Sequence, residues 1–82
     1  MNIHTPLLAI TMGDPAGAGP EIVVKALADP QVRSVARGLV IGDAGVMQAA
    51  AEIVKIPVRI KAVAGIDELS EDANVLNVLD LK

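Results

Sequence analysis

Apolar residues along the chain are arranged in two ways, as continuous runs and at helical spacing. Residues 7–12 form an unbroken run, LLAITM, which predicts a strand covered on both faces of a sheet. In residues 58–63, Arg59 and Lys61 alternate with apolar neighbours, which predicts a strand at a sheet edge with one solvated face. Two further strands are predicted at residues 39–41 and 74–81.

Helical spacing lies between these runs. Pro20 predicts the start of a helix, because its missing N–H has no intrahelical partner at that position. Asp29–Pro30 ends this helix. The apolar residues expected on its inward face are Ile22, Val23, Ala26 and Leu27.

Two more helices are predicted further along the chain. A short one spans residues 30–37, with Asp29 as its N-terminal cap and Gly38 closing it. The other is capped by Asp43 and ends at Ile56–Pro57. Its expected inward residues are Val46, Met47, Ala50, Ile53 and Val54. The acidic residues 65–73 predict a loop or a helical turn.

The order of these elements predicts the fold class. Strands that alternate with helices favour an α/β fold with a partial, mostly parallel sheet and flanking helices. The sequence ends one residue after its last predicted strand, with no helix to cover that strand, although a parallel sheet needs covered faces. We therefore expect residues 1–82 to be the amino-terminal part of a larger, truncated α/β domain.

Composition excludes several classes of protein. The net charge is −3, the basic residues are scattered, and no aromatic residue is present to stack on a base, which argues against nucleic-acid binding. There is no cysteine for a disulfide or a thiolate metal site. No apolar run is long enough for a membrane span, and the first residues do not resemble a signal peptide. These features predict a soluble, cytoplasmic protein.

The chemically informative segment is residues 13–21, GDPAGAGPE, between a predicted strand and a helix start. Gly17 and Gly19 are expected to allow positive φ and close approach of a ligand, and Asp14 follows the carboxyl end of the strand. The segment is not a P-loop, because Lys25 is the first lysine after the glycines. It is not a Rossmann fingerprint either, because Ile22 stands where that pattern requires glycine. A turn whose glycines only satisfy backbone geometry is the alternative.

Residues 9–27, which contain ITMGDPAGAGPEIVVKAL, resemble the amino terminus of the 4-hydroxythreonine-4-phosphate dehydrogenase family. The resemblance continues more loosely through residues 39–43 and 74–81. Ala18 stands where that family usually carries isoleucine. The wider isocitrate and isopropylmalate dehydrogenase superfamily has a similar opening, so the resemblance implies the start of an isocitrate/isopropylmalate dehydrogenase-like fold.

The resemblance implies an activity and a set of cofactors. A homodimeric enzyme would use NAD(P) and a divalent metal (Zn, Mg or Co) to oxidise and decarboxylate a phosphorylated hydroxy acid such as 4-phosphohydroxythreonine, in pyridoxine biosynthesis. The residues expected beside the cofactor are Gly13, Asp14, Ala18 and Gly19. The family's metal ligands and substrate-phosphate residues belong to later segments. No catalytic or metal-binding residue is therefore assigned to residues 1–82, and we expect the chain alone to be inactive and to bind no cofactor tightly.

Other residues have simpler interpretations. His4 is expected to lie in a solvated tail. Asp14 and Glu21 are not expected to form an acid–base pair. Instead, Asp14 is expected to order its turn, and Glu21 to complement the helix dipole. Glu68 and Glu71 are expected in a solvated loop, with a carboxylate metal site as the weaker reading. Two further functions stay open. One is a stand-alone anion- or nucleotide-binding module, and the other is a scaffold that pairs its strands with the remainder of the enzyme.

Overall fold

The computed structural model describes residues 6–13, 17–72 and 74–81, in which strands and helices alternate. In chain order, the elements are β1 (Leu7–Thr11), α1 (Gly19–Ala28), α2 (Pro30–Arg33), β2 (Arg37–Gly42), α3 (Ala44–Val54), β3 (Arg59–Val63), a 3₁₀ turn (Ile66–Glu68) and β4 (Val75–Asp80). The predicted order of elements is confirmed, including a helical turn in the acidic segment.

The four strands form a parallel sheet in the order β1-β2-β4-β3. The chain moves in one direction across the sheet from β1 to β2 and then to β3, and it returns to insert β4 between β2 and β3. Helices α1 and α3 pack against each other on the same face, as right-handed crossovers in one direction require. The predicted α/β class with a mostly parallel sheet is confirmed.

The connection from β3 to β4 crosses the opposite face of the sheet. Because it runs in the reverse direction, a right-handed crossover places it there. Asn77 of β4 pairs with Lys61 and is one residue away from the core-facing Val78, so its side chain points to this second face. There Asn77 binds both backbone groups of Ser70, at 2.9 Å and 3.0 Å. A short segment therefore covers part of the sheet that no helix covers.

The core lies between the sheet and the two longer helices. Its most deeply buried side chains are Val24 of α1, Val40 of β2, Met47 of α3 and Val78 of β4. Since the chain has no aromatic residue, the core is built from small aliphatic groups and methionine. Each stabilises the fold by about 1.5–3 kcal/mol when fully buried.

The predicted inward face of α1 was partly wrong. The face that packs on the sheet consists of Pro20, Val24 and Leu27, with Val23 partly buried beside them. Ile22 is 63% exposed and Ala26 is also exposed. Apolar residues surround most of this helix, so their spacing alone does not select one face. Packing against α3 and the sheet makes that choice.

Helix α3 follows its prediction more closely. Asp43 caps it by accepting a hydrogen bond from the Val46 N–H at 3.1 Å. Met47 and Ala50 are buried as predicted, whereas Ile53 is 64% exposed and Ala51 takes its place in the core. The other predicted residues, Val46 and Val54, are partly buried against the core. The helix ends at Val54, and the following residue, Lys55, adopts a left-handed conformation with φ 60°.

The segment between α1 and β2 was predicted with the right cap but the wrong length. Asp29 caps α2 by accepting a hydrogen bond from the Gln31 N–H at 2.8 Å. Helix α2 ends at Arg33, and Gly38 belongs to β2 instead of closing the helix. A Cβ atom at Gly38 would lie 2.6 Å from Leu27 Cδ2. Gly38 therefore allows close packing of β2 against α1.

The structure reverses the predicted burial of the first and last strands. Strand β1 was predicted to be covered on both faces, yet it is an edge strand in which Leu8 is 47% exposed. Strand β4 was predicted to be uncovered, yet it is central, and Val75, Leu76, Asn77 and Val78 are buried. The crossover from β3 inserts β4 into the middle of the sheet. An uncovered last strand therefore does not support the expected truncation.

Arg33 connects the amino-terminal end of β4 to the end of α1. Its guanidinium donates to the Leu27 carbonyl at 2.9 Å, to the Asp72 carbonyl at 3.2 Å and to the Val75 carbonyl at 3.4 Å. The guanidinium has five N–H donors in a fixed plane and suits such a junction of carbonyl groups. This arrangement stabilises the end of the sheet opposite the glycine-containing loop.

Candidate cofactor-binding loop at the carboxyl edge of the sheet

The carboxyl ends of three strands meet at one edge of the sheet. The Met12 N–H, just after β1, donates to the Ile41 carbonyl at 3.0 Å. The Leu81 N–H, just after β4, donates to the Gly42 carbonyl at 2.7 Å. Open α/β sheets bind their ligands outside the carboxyl ends of the strands, so this edge is the candidate site.

Gly13 begins the loop at this edge and adopts a left-handed conformation with φ 85°. A Cβ atom at this position would lie 3.6 Å from the Cα atom of Gly19, so the loop approaches the start of α1. Of the two glycines that were expected to allow positive φ, Gly19 lies in the first turn of α1. Among the glycines that the structure describes, the left-handed residue is Gly13, because the chain turns immediately after β1.

The amino-terminal end of α1 faces this loop without a side-chain cap from its own N-cap residue. That residue is Ala18, whose carbonyl accepts the first helical hydrogen bond from the Ile22 N–H at 3.1 Å. An alanine side chain accepts no hydrogen bond, and the first N–H groups of a helix have no intrahelical acceptors. With the positive end of the helix dipole, this geometry favours an anion.

The amino-terminal end of α3 is arranged differently. Asp43 accepts a hydrogen bond from the Val46 N–H at 3.1 Å, and Asp80 accepts one from the Ala44 N–H at 3.2 Å. Two carboxylates thus already bind the N–H groups that an anion would use, and their charges repel one. Ala18 provides no such acceptor at the start of α1, although Glu21 places one carboxylate in the first turn of that helix.

Met12 and Gly42 hold the start of the loop in place. A Cβ atom at Gly42 would lie 2.6 Å from Met12 Cβ, so glycine leaves room for the methionine side chain to reach the core. The Asp43 N–H also donates to Met12 Sδ at 3.4 Å. The predicted role of Asp43 as a helix cap is confirmed by the hydrogen bond that it accepts from the Val46 N–H.

The predicted cofactor-binding residues fall into two groups. Gly13, Ala18 and Gly19 come together at the start of α1, with Gly13 next to Gly19. Asp14 lies outside the residues that the structure describes, as does His4.

Sequence reasoning missed the position of Asp80 at this edge. The strand register pairs Gly42 with Asp80, which carries the carboxylate to the start of α3. The sequence did signal a carboxylate near the end of a predicted strand. Its hydrogen-bond partner, the Ala44 N–H, is revealed only by the insertion of β4 beside β2.

The acidic segment before β4 forms turns and ion pairs. Glu68 Oε1 accepts from the Ala64 N–H at 3.2 Å, and Glu71 lies 3.6 Å from Arg37. Asp72 lies 3.8 Å from Arg59. Within residues 6–13, 17–72 and 74–81, no three His, Cys, Asp or Glu side chains are grouped so that they could hold a metal ion. These carboxylates therefore order an exposed loop.

The chain is similar to known proteins over nearly its whole length, although no protein-family profile matches it. The 4-hydroxythreonine-4-phosphate dehydrogenase of Trichlorobacter lovleyi is 43% identical over 82 residues, which are 99% of this chain and 24% of the relative. The D-threonate 4-phosphate dehydrogenase of Cupriavidus necator is 37% identical over 81 residues, again 99% of this chain and 24% of the relative. The chain is therefore similar to about a quarter of the length of these two dehydrogenases.

Solved structures agree with this relationship. The crystal structure of a 4-hydroxythreonine-4-phosphate dehydrogenase from Burkholderia phymatum has a TM-score of 0.90 and 38% identity, and it matches 95% of this chain. The match covers 24% of the Burkholderia chain. The resemblance to these dehydrogenases is confirmed, and the parallel sheet is consistent with an isocitrate dehydrogenase-like fold. The chain spans about a quarter of the length of the relatives that it matches.

Proposed function

We propose that this chain is the amino-terminal part of an NAD-dependent, metal-requiring dehydrogenase that oxidises and decarboxylates a phosphorylated hydroxy acid such as 4-phosphohydroxythreonine. The observation that carries the proposal is the 43% identity, over 82 residues, to a protein named as such a dehydrogenase. The D-threonate 4-phosphate dehydrogenase also has a phosphorylated hydroxy acid in its name. The remaining three quarters of the enzyme would supply the chemical groups and the homodimer contacts.

In this proposal, Gly13, Asp14, Ala18 and Gly19 lie beside the dinucleotide. The left-handed Gly13 and the side-chain-free Gly19 allow close approach to the main chain, and the start of α1 favours a phosphate group. When bound, NAD(P) supplies the hydride acceptor. These residues would orient the cofactor and would take no part in bond breaking.

The proposed metal, Zn, Mg or Co, does not fit the described part of this chain, because that part groups no three suitable side chains. Its ligands would come from the remainder of the enzyme. No reaction step through the metal is therefore derived from these residues.

A chimeric enzyme tests the proposed activity. The matching quarter of the Trichlorobacter lovleyi dehydrogenase is replaced by residues 1–82 of this chain, and metal-dependent reduction of NAD by 4-phosphohydroxythreonine is measured. We expect activity from the chimera and none from the Trichlorobacter protein that lacks this quarter. A folded, dimeric chimera without activity would contradict the proposal.

Two substitutions in the chimera test the position of the dinucleotide. Ala18→Asp places a carboxylate beside the first N–H groups of α1, where it repels a cofactor phosphate. Ala18→Asn has nearly the same shape without the charge. We expect the aspartate variant to raise the KM for NAD about tenfold or more relative to the asparagine variant, a difference of about 1.4 kcal/mol. Equal KM values would place the dinucleotide phosphates away from α1.

A stand-alone anion- or nucleotide-binding module is the alternative function. The start of α1 favours it, because the N-cap residue Ala18 makes no side-chain hydrogen bond to the first N–H groups of the helix. Titration of the 82-residue chain with NAD and with inorganic phosphate in a calorimeter separates the two functions. Tight binding by this chain alone would favour the module, whereas we expect weak or no binding.

A cytoplasmic location stays a prediction. The longest helix in the described part of the chain has 11 residues, and none there has the length and apolar content needed to cross a membrane.

A further inference from the structure

The Met12 side chain connects the start of the candidate loop to the start of α3. It is 8% exposed and belongs to the core, and its Sδ atom accepts a hydrogen bond from the Asp43 N–H at 3.4 Å. The Met12 N–H donates to the Ile41 carbonyl at 3.0 Å. Met12 is therefore held through both its main chain and its side chain, directly before the left-handed Gly13.

This sulfur atom supplies an acceptor that α3 itself lacks. In a capping box, the side chain of the third helical residue accepts a hydrogen bond from the N–H of the N-cap residue. Asp43 is the N-cap residue of α3, and its carboxylate accepts from the N–H of the third residue, Val46. A valine side chain cannot accept the return hydrogen bond. The Met12 thioether, which is a weak acceptor, binds the Asp43 N–H instead.

Gly42 provides the space that this contact requires. A Cβ atom at Gly42 would lie 2.6 Å from Met12 Cβ and 3.0 Å from Met12 Sδ. Gly42 lies in β2 and, unlike Gly13, does not have a positive φ, so its backbone conformation does not require glycine. The position of the Met12 side chain is therefore the reason that this site needs a residue without a side chain.

We propose that Met12 positions the candidate loop for the dinucleotide, an inference that rests on the proposed function. Its contacts with Asp43 and Gly42 fix the direction in which the chain enters the turn at Gly13. That turn lies next to α1, since a Cβ atom at Gly13 would lie 3.6 Å from Gly19 Cα. A shift of Met12 therefore moves the main chain that the cofactor approaches, while Met12 itself touches neither cofactor nor substrate.

Kinetics of the chimeric dehydrogenase test this role. Met12→Leu nearly conserves the volume in the core but removes the sulfur acceptor. Met47→Leu is the matched control, because Met47 is a fully buried methionine of the same core that lies within α3. We expect Met12→Leu to raise the KM for NAD about threefold or more with kcat nearly unchanged, because cofactor binding is weakened and the chemistry is not. Met47→Leu should change this KM by less than about twofold.

Amide hydrogen exchange in the 82-residue chain, followed by NMR, gives a readout that needs neither cofactor nor activity. We expect Met12→Leu to accelerate exchange of the Asp43 N–H about threefold or more relative to Met47→Leu. The amide resonances of Gly13 and Gly19 should also shift in Met12→Leu and stay close to the wild type in Met47→Leu. Exchange of the Val78 N–H, in the central strand β4, reports global unfolding and separates a loss of stability from a local change.

The two measurements distinguish failure of this inference from failure of the proposed function. An inactive wild-type chimera would contradict the proposed function, and the exchange data would still decide whether Met12 holds the loop. In an active chimera, equal KM values for Met12→Leu and Met47→Leu would overturn the inference, as would equal exchange of the Asp43 N–H. If Met12→Leu does not fold, Gly42→Ala takes its place, because it displaces the Met12 side chain without removing the sulfur and should raise the KM for NAD in the same way.

Discussion

Asn77 of β4 binds both backbone groups of Ser70: its side-chain oxygen accepts from the Ser70 N–H at 2.9 Å, and its side-chain nitrogen donates to the Ser70 carbonyl at 3.0 Å. The asparagine is 7% exposed and is the buried polar residue of the described sheet. Through this pair of hydrogen bonds, the segment between β3 and β4 is held against the face of the sheet that the longer helices do not cover.

Removing this side chain should destabilise the protein more than its size suggests. Asn77→Ala leaves a donor and an acceptor of Ser70 without their partner, and we expect the free energy of unfolding to fall by about 1–3 kcal/mol. Urea unfolding followed by circular dichroism measures it. Asn74→Ala, at an exposed position nearby, is the control and should change stability by less than about 0.5 kcal/mol. Equal effects of the two substitutions would show that the paired bonds contribute nothing.

Close packing of β2 on α1 depends on Gly38 and Leu27. A Cβ atom at Gly38 would lie 2.6 Å from Leu27 Cδ2 and 2.9 Å from Cδ1. We expect Gly38→Ala to lower the free energy of unfolding by about 1–3 kcal/mol through overpacking. The same substitution should have a much smaller effect, or a favourable one, in a Leu27→Ala background, where the methyl group enters the vacated space. Additive effects in this double-mutant cycle would argue against the contact.

The cap of α3 provides a test of its local stability. Asp43→Ala removes the acceptor of the Val46 N–H and should cost about 1 kcal/mol in the free energy of unfolding. Asp67→Ala removes a carboxylate at an exposed position outside α3 and serves as the control for the change in charge. Urea unfolding of both variants is the measurement. A loss no larger than that of Asp67→Ala would mean that the cap does not stabilise α3.

Lys55 is a site where substitution should stabilise the protein. It adopts φ 60° at the end of α3, a conformation that costs a residue with a Cβ atom about 1–2 kcal/mol. Lys55→Gly should therefore raise the free energy of unfolding by roughly 0.5–1 kcal/mol. Lys55→Ala retains the Cβ atom and removes the same charge, so it should show no gain. The thermal unfolding midpoints of the two variants distinguish backbone strain from charge.

Some features of the fold were predictable because they depend on neighbours in the chain. Asp29 and Asp43 cap the helices that follow them, and each accepts from an N–H two or three residues ahead. The edge position of β3 was also predictable, since Arg59 and Lys61 require solvent on one face. The candidate site was located by its glycines and by Pro20, which mark a turn and a helix start.

Other features depended on strand order, which no local pattern contains. The reversed coverage of β1 and β4 is the clearest case: β1 is the more continuously apolar strand, yet β4 takes the central position because the chain returns from β3. The exposure of Ile22 and Ile53 likewise depends on how α1 and α3 pack side by side. Gly13 has the left-handed conformation because the turn comes directly after β1.

The sequence by itself determined the elements, their order, the helix caps and the likeness to 4-hydroxythreonine-4-phosphate dehydrogenases, because each of these rests on residues close together in the chain. Only the tertiary structure decided which strand is central among the described four, and that Asp80 joins Asp43 at the start of α3. Those outcomes arise from contacts between residues far apart in the chain, and the direction of each crossover sets them.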